Sequence, residues 1–535
     1  MIPKADIPRS AFRIQKGYKT TFDAGFLVPV FVDEVLPGDT FNLKMTAFAR
    51  LSTPLFPIMD NLHLESFFFF VPCRLVWTNW KRFMGEQPSG PSQSISFTVP
   101  QVVCPTGGYA INSLQDYFGL PTVGQVGGAA TVSHNTLPLR AYNLIYNEWF
   151  RDQNIQNAAV VDVDDGPDAP GDYTIRRRGK RHDYFTSCLP WPQKGGVSVP
   201  LPLGSSAPVY AGAQNAGPFS SALTYVVPGG TEPATMPDLI GIVDSGTVGL
   251  LSTFPTPAPG TSGESLTPSN LFADLSAATA ATINELRQSF QIQRLLERDA
   301  RGGTRYTELV RSHFGVISPD ARLQRPEYLG GGHSTVSITP IAQTSATDID
   351  GSTSPLGNLS AFGTALGHGH GFTQSFTEHG YVIGLVNVRA DLTYQQGLRR
   401  MWSRSTRYDF YFPVFAHLGE QAVLNREIYC DGSATDDDVF GYQERWAEYR
   451  YNPSEITGLF RSTAAGTLDA WHLAQEFSSV PVLTSGFIGD TPPVDRILAV
   501  GEEALGAQFI ADFFFDIKAA RPMPLYSVPG LIDHF

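Results

Sequence analysis

The chain has 535 residues, a formal net charge of −13, only 17% charged residues, and 51 Gly, 40 Pro and 36 Phe. Turn-dense, aromatic sequence of this kind argues against a helical bundle and for a sandwich or barrel with long loops, and so acidic a chain is not built for nucleic acid alone, because phosphate binding needs local positive charge. Cys73, Cys104, Cys188 and Cys430 form no C-x-x-C pair, which leaves a zinc ribbon or a disulfide scaffold without support and fits reduced thiols in a cytoplasmic setting.

The low charge suits a surface covered by neighbouring copies; an extracellular β-protein is the alternative. The N-terminus has no apolar signal core, and the longest apolar run, 67–71, is far too short to cross a bilayer, so no membrane insertion is expected.

Taken in chain order, residues 1–19 carry Lys4, Arg9, Arg13, Lys16 and Lys19 against the single Asp6 and predict a basic N-terminal arm. A turn at 37–39 leads into 41–47, where apolar and polar residues alternate as in a half-buried strand. The strand predicted over 62–71 begins alternating and then becomes apolar on both faces (Phe67, Phe68, Phe69, Phe70, Val71), so it must be covered on both sides. Behind Pro138, the spacing of Tyr142, Ile145, Tyr146, Trp149 and Phe150 predicts a helix. Trp77, Trp80 and Trp149 read as core residues ahead of base-stacking platforms.

Arg176, Arg177, Arg178, Lys180 and Arg181 form a denser basic run. Phosphate contact and a solvated or ion-paired face are both open readings there, as they are for 1–19.

Residues 195–286 then contain no Lys or Arg, but six acids and eleven prolines. This reads as a nearly uncharged excursion mounted on a scaffold, an insertion whose closure entropy grows by only about 0.6 kcal/mol per doubling of length. A capping-box pattern at 282–285 opens a helix, with Ile283, Leu286, Phe290, Gln293 and Leu296 on one face and Gly302-Gly303 as its stop. Residues 351–371 read as a Gly-rich variable loop. Strands follow from Gly380, with Tyr381, Ile383 and Leu385 on one face and Val382 and Val386 on the other, and again over 509–518. Strands at both ends of the chain around long excursions predict a mainly β protein: a single eight-stranded jelly roll (β-sandwich) with long loop insertions and a few helices.

Catalytic motifs are missing: there is no phosphate-binding P-loop, no G-x-S-x-G elbow and no H-E-x-x-H pair. His368, His370 and His379 invite a metal, but a flexible turn before the next strand explains them as well. The acidic stretches 162–166 and 436–438 lack calcium-loop spacing and read as surface loops. No carboxylate pair singles itself out for glycoside hydrolysis. The expectation is therefore no enzyme, no metal and no cofactor, with a secreted β-sandwich glycoside hydrolase or a carbohydrate-binding module as the alternatives.

Several long strings, collinear over nearly the whole chain, have no generic catalytic meaning. They include Thr21-Phe22-Asp23-Ala24-Gly25, Phe70-Val71-Pro72-Cys73-Arg74-Leu75-Val76-Trp77, Tyr146-Asn147-Glu148-Trp149-Phe150-Arg151-Asp152-Gln153, Pro190-Trp191-Pro192-Gln193-Lys194-Gly195, Glu297-Arg298-Asp299-Ala300-Arg301-Gly302-Gly303 and Phe440-Gly441-Tyr442-Gln443-Glu444-Arg445-Trp446. With them the chain resembles the major capsid proteins of the Microviridae, gokushovirus branch. The resemblance implies one jelly-roll capsid domain over 1–535, sixty copies in a T=1 icosahedral shell, and a circular single-stranded DNA genome inside. It also implies minor pilot and scaffolding proteins, assembly in the cytoplasm of a host bacterium, and a protrusion at the threefold axes formed by the excursion.

The excursion, 195–280, is then the surface that meets a host receptor, with Pro218, Phe219, Tyr225, Pro228, Pro237, Phe254 and Pro257 as its candidate contacts. Lys4, Arg9, Arg13, Lys16 and Lys19 would face the genome, as would Arg176, Arg177, Arg178, Lys180 and Arg181. Sixty copies at −13 each also call for a small basic DNA-binding protein or abundant counterions around the genome.

Overall fold

The computed structural model describes residues 8–88, 96–196, 209–211, 225–226, 267–268, 271–273, 283–317, 324–345, 356–499 and 507–526. Nine long strands dominate: β1 (Ser10–Phe22), β2 (Val28–Val35), β3 (Thr40–Leu51), β4 (Leu62–Pro72), β5 (Glu327–Thr335), β6 (Ser337–Ala342), β7 (Leu359–Ser375), β8 (Gly380–Ala390) and β9 (Phe509–Arg521). They pair antiparallel in the order β1-β9-β3-β7-β5-β4-β8-β2, with β6 added beside β7.

Between β7 and β5 the pairing rests on the single match Gly331↔Gly371. The path therefore divides into two four-stranded sheets, β1-β9-β3-β7 and β5-β4-β8-β2, and, β6 aside, successive strands cross from one sheet to the other at every step except β4 to β5, which are neighbours in the second sheet. This is the eight-stranded jelly roll that the sequence predicts, with β6 as an addition.

Period-two alternation builds the space between the sheets. β3 turns Phe41, Leu43, Met45, Ala47, Ala49 and Leu51 inward, and β9 turns Phe509, Ala511, Phe513, Phe515, Ile517 and Ala519 to meet them. From the other sheet come Val28, Phe68, Phe70, Val382, Val386 and Val388. Phe31 and Phe515 touch across the gap with ring centroids 5.0 Å apart.

The second sheet is apolar on its outer face as well. Phe69, Val71, Tyr381, Ile383 and Leu385 pack against Val76, Trp77, Tyr142 and Ile145 from the segment that follows β4. This is the cover that the double-sided apolar run required, and the two faces of β8 fall as its alternation predicts. Within that cover, helix α1 (Leu137–Ile145) carries Pro138 in its first turn and widens into a π-helical turn, Tyr146–Phe150. A third cluster joins Tyr184 and Phe185, from the connection between β4 and β5, to Val423, Ile428 and Phe440, from the connection between β8 and β9.

Two sequence expectations give way here. From Ser10 onward the predicted arm is a 13-residue edge strand, paired along its length with β9; residues 1–7 lie outside the described residues. The Gly-rich stretch is no loop from Leu359 on, but part of the 17-residue β7. Where β7 and β5 meet, Gly371 and Gly331 allow close backbone approach. A Cβ on Gly371 would lie 2.0 Å from the Leu43 carbonyl oxygen, and one on Gly331 would lie 2.0 Å from that of Ser66. The ring of His370 fills the space left at Gly332 and Gly367.

The chain divides into two compact units, 1–196 with 297–535, and 197–296. The described residues of the smaller unit include the antiparallel pairs Val209–Ala211 with Leu271–Ala273 and Tyr225–Val226 with Thr267–Pro268. Helix α2 (Ile283–Gly302) starts and stops as read from the sequence.

Candidate genome-facing and assembly surfaces

The outer face of the β1-β9-β3-β7 sheet has no covering layer among the described residues. Antiparallel register sets its side chains in rows. Arg13, Lys518 and Asn42 form one row, Gln15, Asp516 and Lys44 the next; further along come Lys19, Asp512, Phe48 and Leu366, then Thr21, Ile510, Arg50 and Thr364. Lys44, Phe48, Arg50, Ile510, Phe514 and Lys518 are exposed.

Two of the five cations have partners in the sheet. Arg13 donates to Asp516 from Nε (3.0 Å) and a terminal nitrogen (3.1 Å), and Lys19 pairs with Asp512. The bond to Asp516 raises the Arg13 pKa and lowers that of the carboxylate. The side chains of Arg13 and Lys19 remain 63% and 76% exposed, so both pairs are open to solvent and to displacement. Arg9 donates to the Gly38 carbonyl, and Lys16 lies over the Phe31 ring, 5.5 Å from its centroid. Lys4 is outside the described residues.

The run 176–181 is of another kind: it threads between packed elements, and its charges are held within the chain. Arg176 lies 5.7 Å from the centroid of the Tyr146 ring and Arg177 3.9 Å from that of Phe26, while Arg177 also donates to the Asp490 carbonyl at 3.0 Å. Arg178 pairs with Glu65, which also takes Arg389 at 2.9 Å. Lys180 is buried over Phe487, and Arg181 donates to Asp391 at 2.8 Å. Burial depresses Arg178 to about 9 and Arg389 to about 10, and lowers Lys180. In their midst the carboxyl of Asp490 is pushed up to about 6 by burial, against the attraction of Arg389, Lys180, Arg178 and Arg177. Of the two readings open for this run, these contacts favour the ion-paired one: Arg178 and Arg181 pair with carboxylates and Lys180 is buried, while Arg176, Arg177 and Arg181 stay part-exposed.

Beside it opens a cavity of about 1090 Å³ with Phe67, Trp149, Arg301, Arg305 and Arg389 in its wall. Glu420, Glu308 and Glu65 pair with these three arginines, but Arg151, Arg178, Lys180, Arg181 and Arg311 line the cavity as well, so its wall keeps an excess of positive charge.

Other residues singled out from sequence have structural partners. Asp164 binds the buried Arg140, and Asp165 accepts from the Trp77 indole at 2.7 Å. Trp77 is fully buried, whereas Trp149 is partly exposed and donates to the Pro326 carbonyl. His370 sits between the hydroxyls of Ser66 (2.9 Å) and Ser334 (3.2 Å). Among the described residues no three His, Cys, Asp or Glu side chains converge as a metal ion would require, and no helix is long and apolar enough to cross a membrane. All four cysteines are free thiols. Of the candidate host contacts, Tyr225 belongs to a described strand by its backbone alone; Pro218, Phe219, Pro228, Pro237, Phe254 and Pro257 lie outside the described residues.

Lys44, Arg50 and Lys518 escape a reading of the sequence. Each is isolated in an alternating strand, and the register with β9 brings them to one face.

A jelly roll with one bare, cation-bearing sheet face and large insertions is an architecture suited to a shell-forming protein. The chain belongs to the family described as "Capsid protein (F protein)", whose model matches residues 1–531. It is 49% identical to "Capsid protein VP1" of Bdellovibrio phage phiMH2K, over 100% of this chain and 97% of that protein. It is 46% identical to "Capsid protein VP1" of Chlamydia phage 1 (99% and 97%) and 38% identical to that of Spiroplasma virus 4 (98% and 96%). The resemblance to the gokushovirus major capsid proteins therefore holds. The chain is a virion structural protein that assembles into a capsid, and the glycoside hydrolase and carbohydrate-binding alternatives find no support.

Proposed function

We propose that sixty copies close into a T=1 icosahedral shell around circular single-stranded DNA, with the bare β1-β9-β3-β7 face turned toward the genome. One observation carries this orientation. Five cations, Arg13, Lys19, Lys44, Arg50 and Lys518, share that face with two carboxylates, Asp512 and Asp516, an excess of three on a chain whose net charge is −13. Exposed Phe48 and Phe514 between them offer flat apolar surface to unpaired bases, and Arg, Lys and aromatic side chains together hold single strands without reading sequence. A small basic protein or counterions would balance the rest of the phosphate charge. Pilot and scaffolding proteins would join assembly in the bacterial cytoplasm, and 195–280 would meet the host receptor.

The test is particle assembly with Arg13, Lys44 and Lys518 changed together to Gln. Shells should form in normal yield but release DNA at lower salt. The log–log salt slope should fall by about 0.7 for each phosphate that the variant no longer neutralises. DNA retention and salt slope equal to those of the unaltered chain would refute the orientation.

A further inference from the structure

The connection from β8 to β9 carries an exposed aromatic surface that has no cover among the described residues. Residues 399–418 contain four Arg, one Asp, no Lys and no Glu, with Trp402, Tyr408, Phe410, Tyr411, Phe412 and Phe415 among them. They are held in short 3₁₀ turns, Arg400–Ser403, Arg407–Asp409 and Pro413–Phe415. Trp402 is 66% exposed, Tyr408 68%, Val414 81% and Leu418 56%; Met401, Phe410, Tyr411, Tyr449 and Tyr451 are each about half exposed.

These residues are linked in space as well as in sequence. The Tyr411 ring lies 5.6 Å from Trp446 and 6.2 Å from Tyr449, Tyr408 lies 6.3 Å from Phe415, and the Arg404 guanidinium covers both Phe410 and Tyr449. With ~150–250 Å² per aromatic side chain, the exposed parts sum to on the order of 1,000 Å². The largest apolar patch of an ordinary monomer covers ~300–600 Å², and a specific interface needs ~800 Å² from each partner.

Two further observations say what fits there. Three of the four arginines are already neutralised: Arg399 pairs with Glu455 (3.4 Å), Arg400 with Glu427 (2.9 Å) and Arg404 with Glu448 (3.1 Å), while the fourth, Arg407, lies over the Phe412 ring. Phosphate would have to compete with these carboxylates, and Val414 and Leu418 give a base nothing to stack on. The backbone is also set in advance. Asp409 accepts from the Ser405 and Thr406 amides (3.0 and 2.7 Å) and from the Thr406 hydroxyl (2.9 Å), so binding requires little further ordering. Rigid aromatic, Met and Arg side chains with Lys and Glu depleted are the composition of an interface core.

We infer that 399–418, with Tyr449 and Tyr451, is a self-association hot spot, and that its occupant is a second copy of this chain. The inference rests on the capsid reading and names the surface through which subunits join.

The test uses the full chain with Trp402→Ala and Tyr408→Ala combined, and separately with Val414→Lys. Circular dichroism and thermal melting follow folding; sedimentation and electron microscopy follow assembly. All three side chains are mostly exposed in the subunit, so melting should be unchanged, while particle yield falls at least tenfold and folded subunits accumulate. Should the double variant fail to fold, Val414→Lys, at the most exposed of these positions, decides alone. Particles in normal yield from either folded variant would overturn the inference, whether they are otherwise normal, lose DNA (a genome contact) or lose host attachment (a receptor contact). If the unaltered chain itself forms no particles, the capsid reading fails instead, and the two failures are told apart.

Discussion

Arginine has three distinct fates in this chain, each decided by what surrounds the guanidinium. Arg140 is fully buried and donates to Asp168 at 2.7 Å and to the carbonyls of Val76 (3.1 Å) and Asp164 (2.9 Å). Burial works against its charge, but the bonds to Asp168 raise its pKa above the ordinary value. Arg140→Ala leaves Asp168 buried without its counter-ion and should cost about 3–5 kcal/mol, read as a lower urea midpoint for the unassembled subunit. Arg177 and Arg178 are enclosed with Asp490, whereas Arg13 lies on an open sheet.

Asp490 gives a pH prediction. Its folded pKa of about 6 exceeds the unfolded value of 3.8, so the folded state binds the proton more tightly. That contribution is fully present below the unfolded pKa and is lost as pH rises through about 6. Relative to Asp490→Asn, which cannot titrate, the natural chain should gain roughly 2 kcal/mol of stability between pH 7 and pH 4. Equal pH dependence in the two proteins would contradict the buried-carboxyl account.

Among elements, the strands were the most legible part of the sequence. Alternation in β3 and β9 and the double-sided run in β4 follow from side-chain direction alone. The same reasoning sets unequal costs for the same substitution. Phe69, buried between β4 and α1, should lose about 3–5 kcal/mol when changed to Ala. Phe514, partly exposed on the bare face of β9, should stay within about 0.5 kcal/mol. Urea unfolding of the two variants checks the contrast, and similar losses would mean that the bare face is covered within the subunit.

Two elements were misread for one reason. Glycine in β7 and polar residues in β1 resemble loop and arm when each segment is taken alone. Gly371 is required by the Leu43 carbonyl, and β1 is a strand because β9, about 500 residues away, pairs with it from Ser10↔Arg521 to Phe22↔Phe509. No local pattern carries either fact.

For the whole molecule, the sequence by itself determined the class: an aromatic, turn-dense, mainly β chain whose strings match a capsid family from end to end. Composition, alternation and motif are local quantities, and they settle which segments become strands and which faces turn inward. Only the tertiary structure decided which charges remain outside. It engaged Arg178, Lys180 and Arg181 of the contiguous run 176–181 with partners inside the chain and gathered Arg13, Lys44, Arg50 and Lys518, scattered over some 500 positions, onto one sheet face. It also left the rings of Trp402, Tyr408, Phe410 and Tyr411 exposed among the described residues. The physical reason is that exposure and pairing depend on strand register and on which segments cover which faces, and both are set by contacts between residues far apart in sequence.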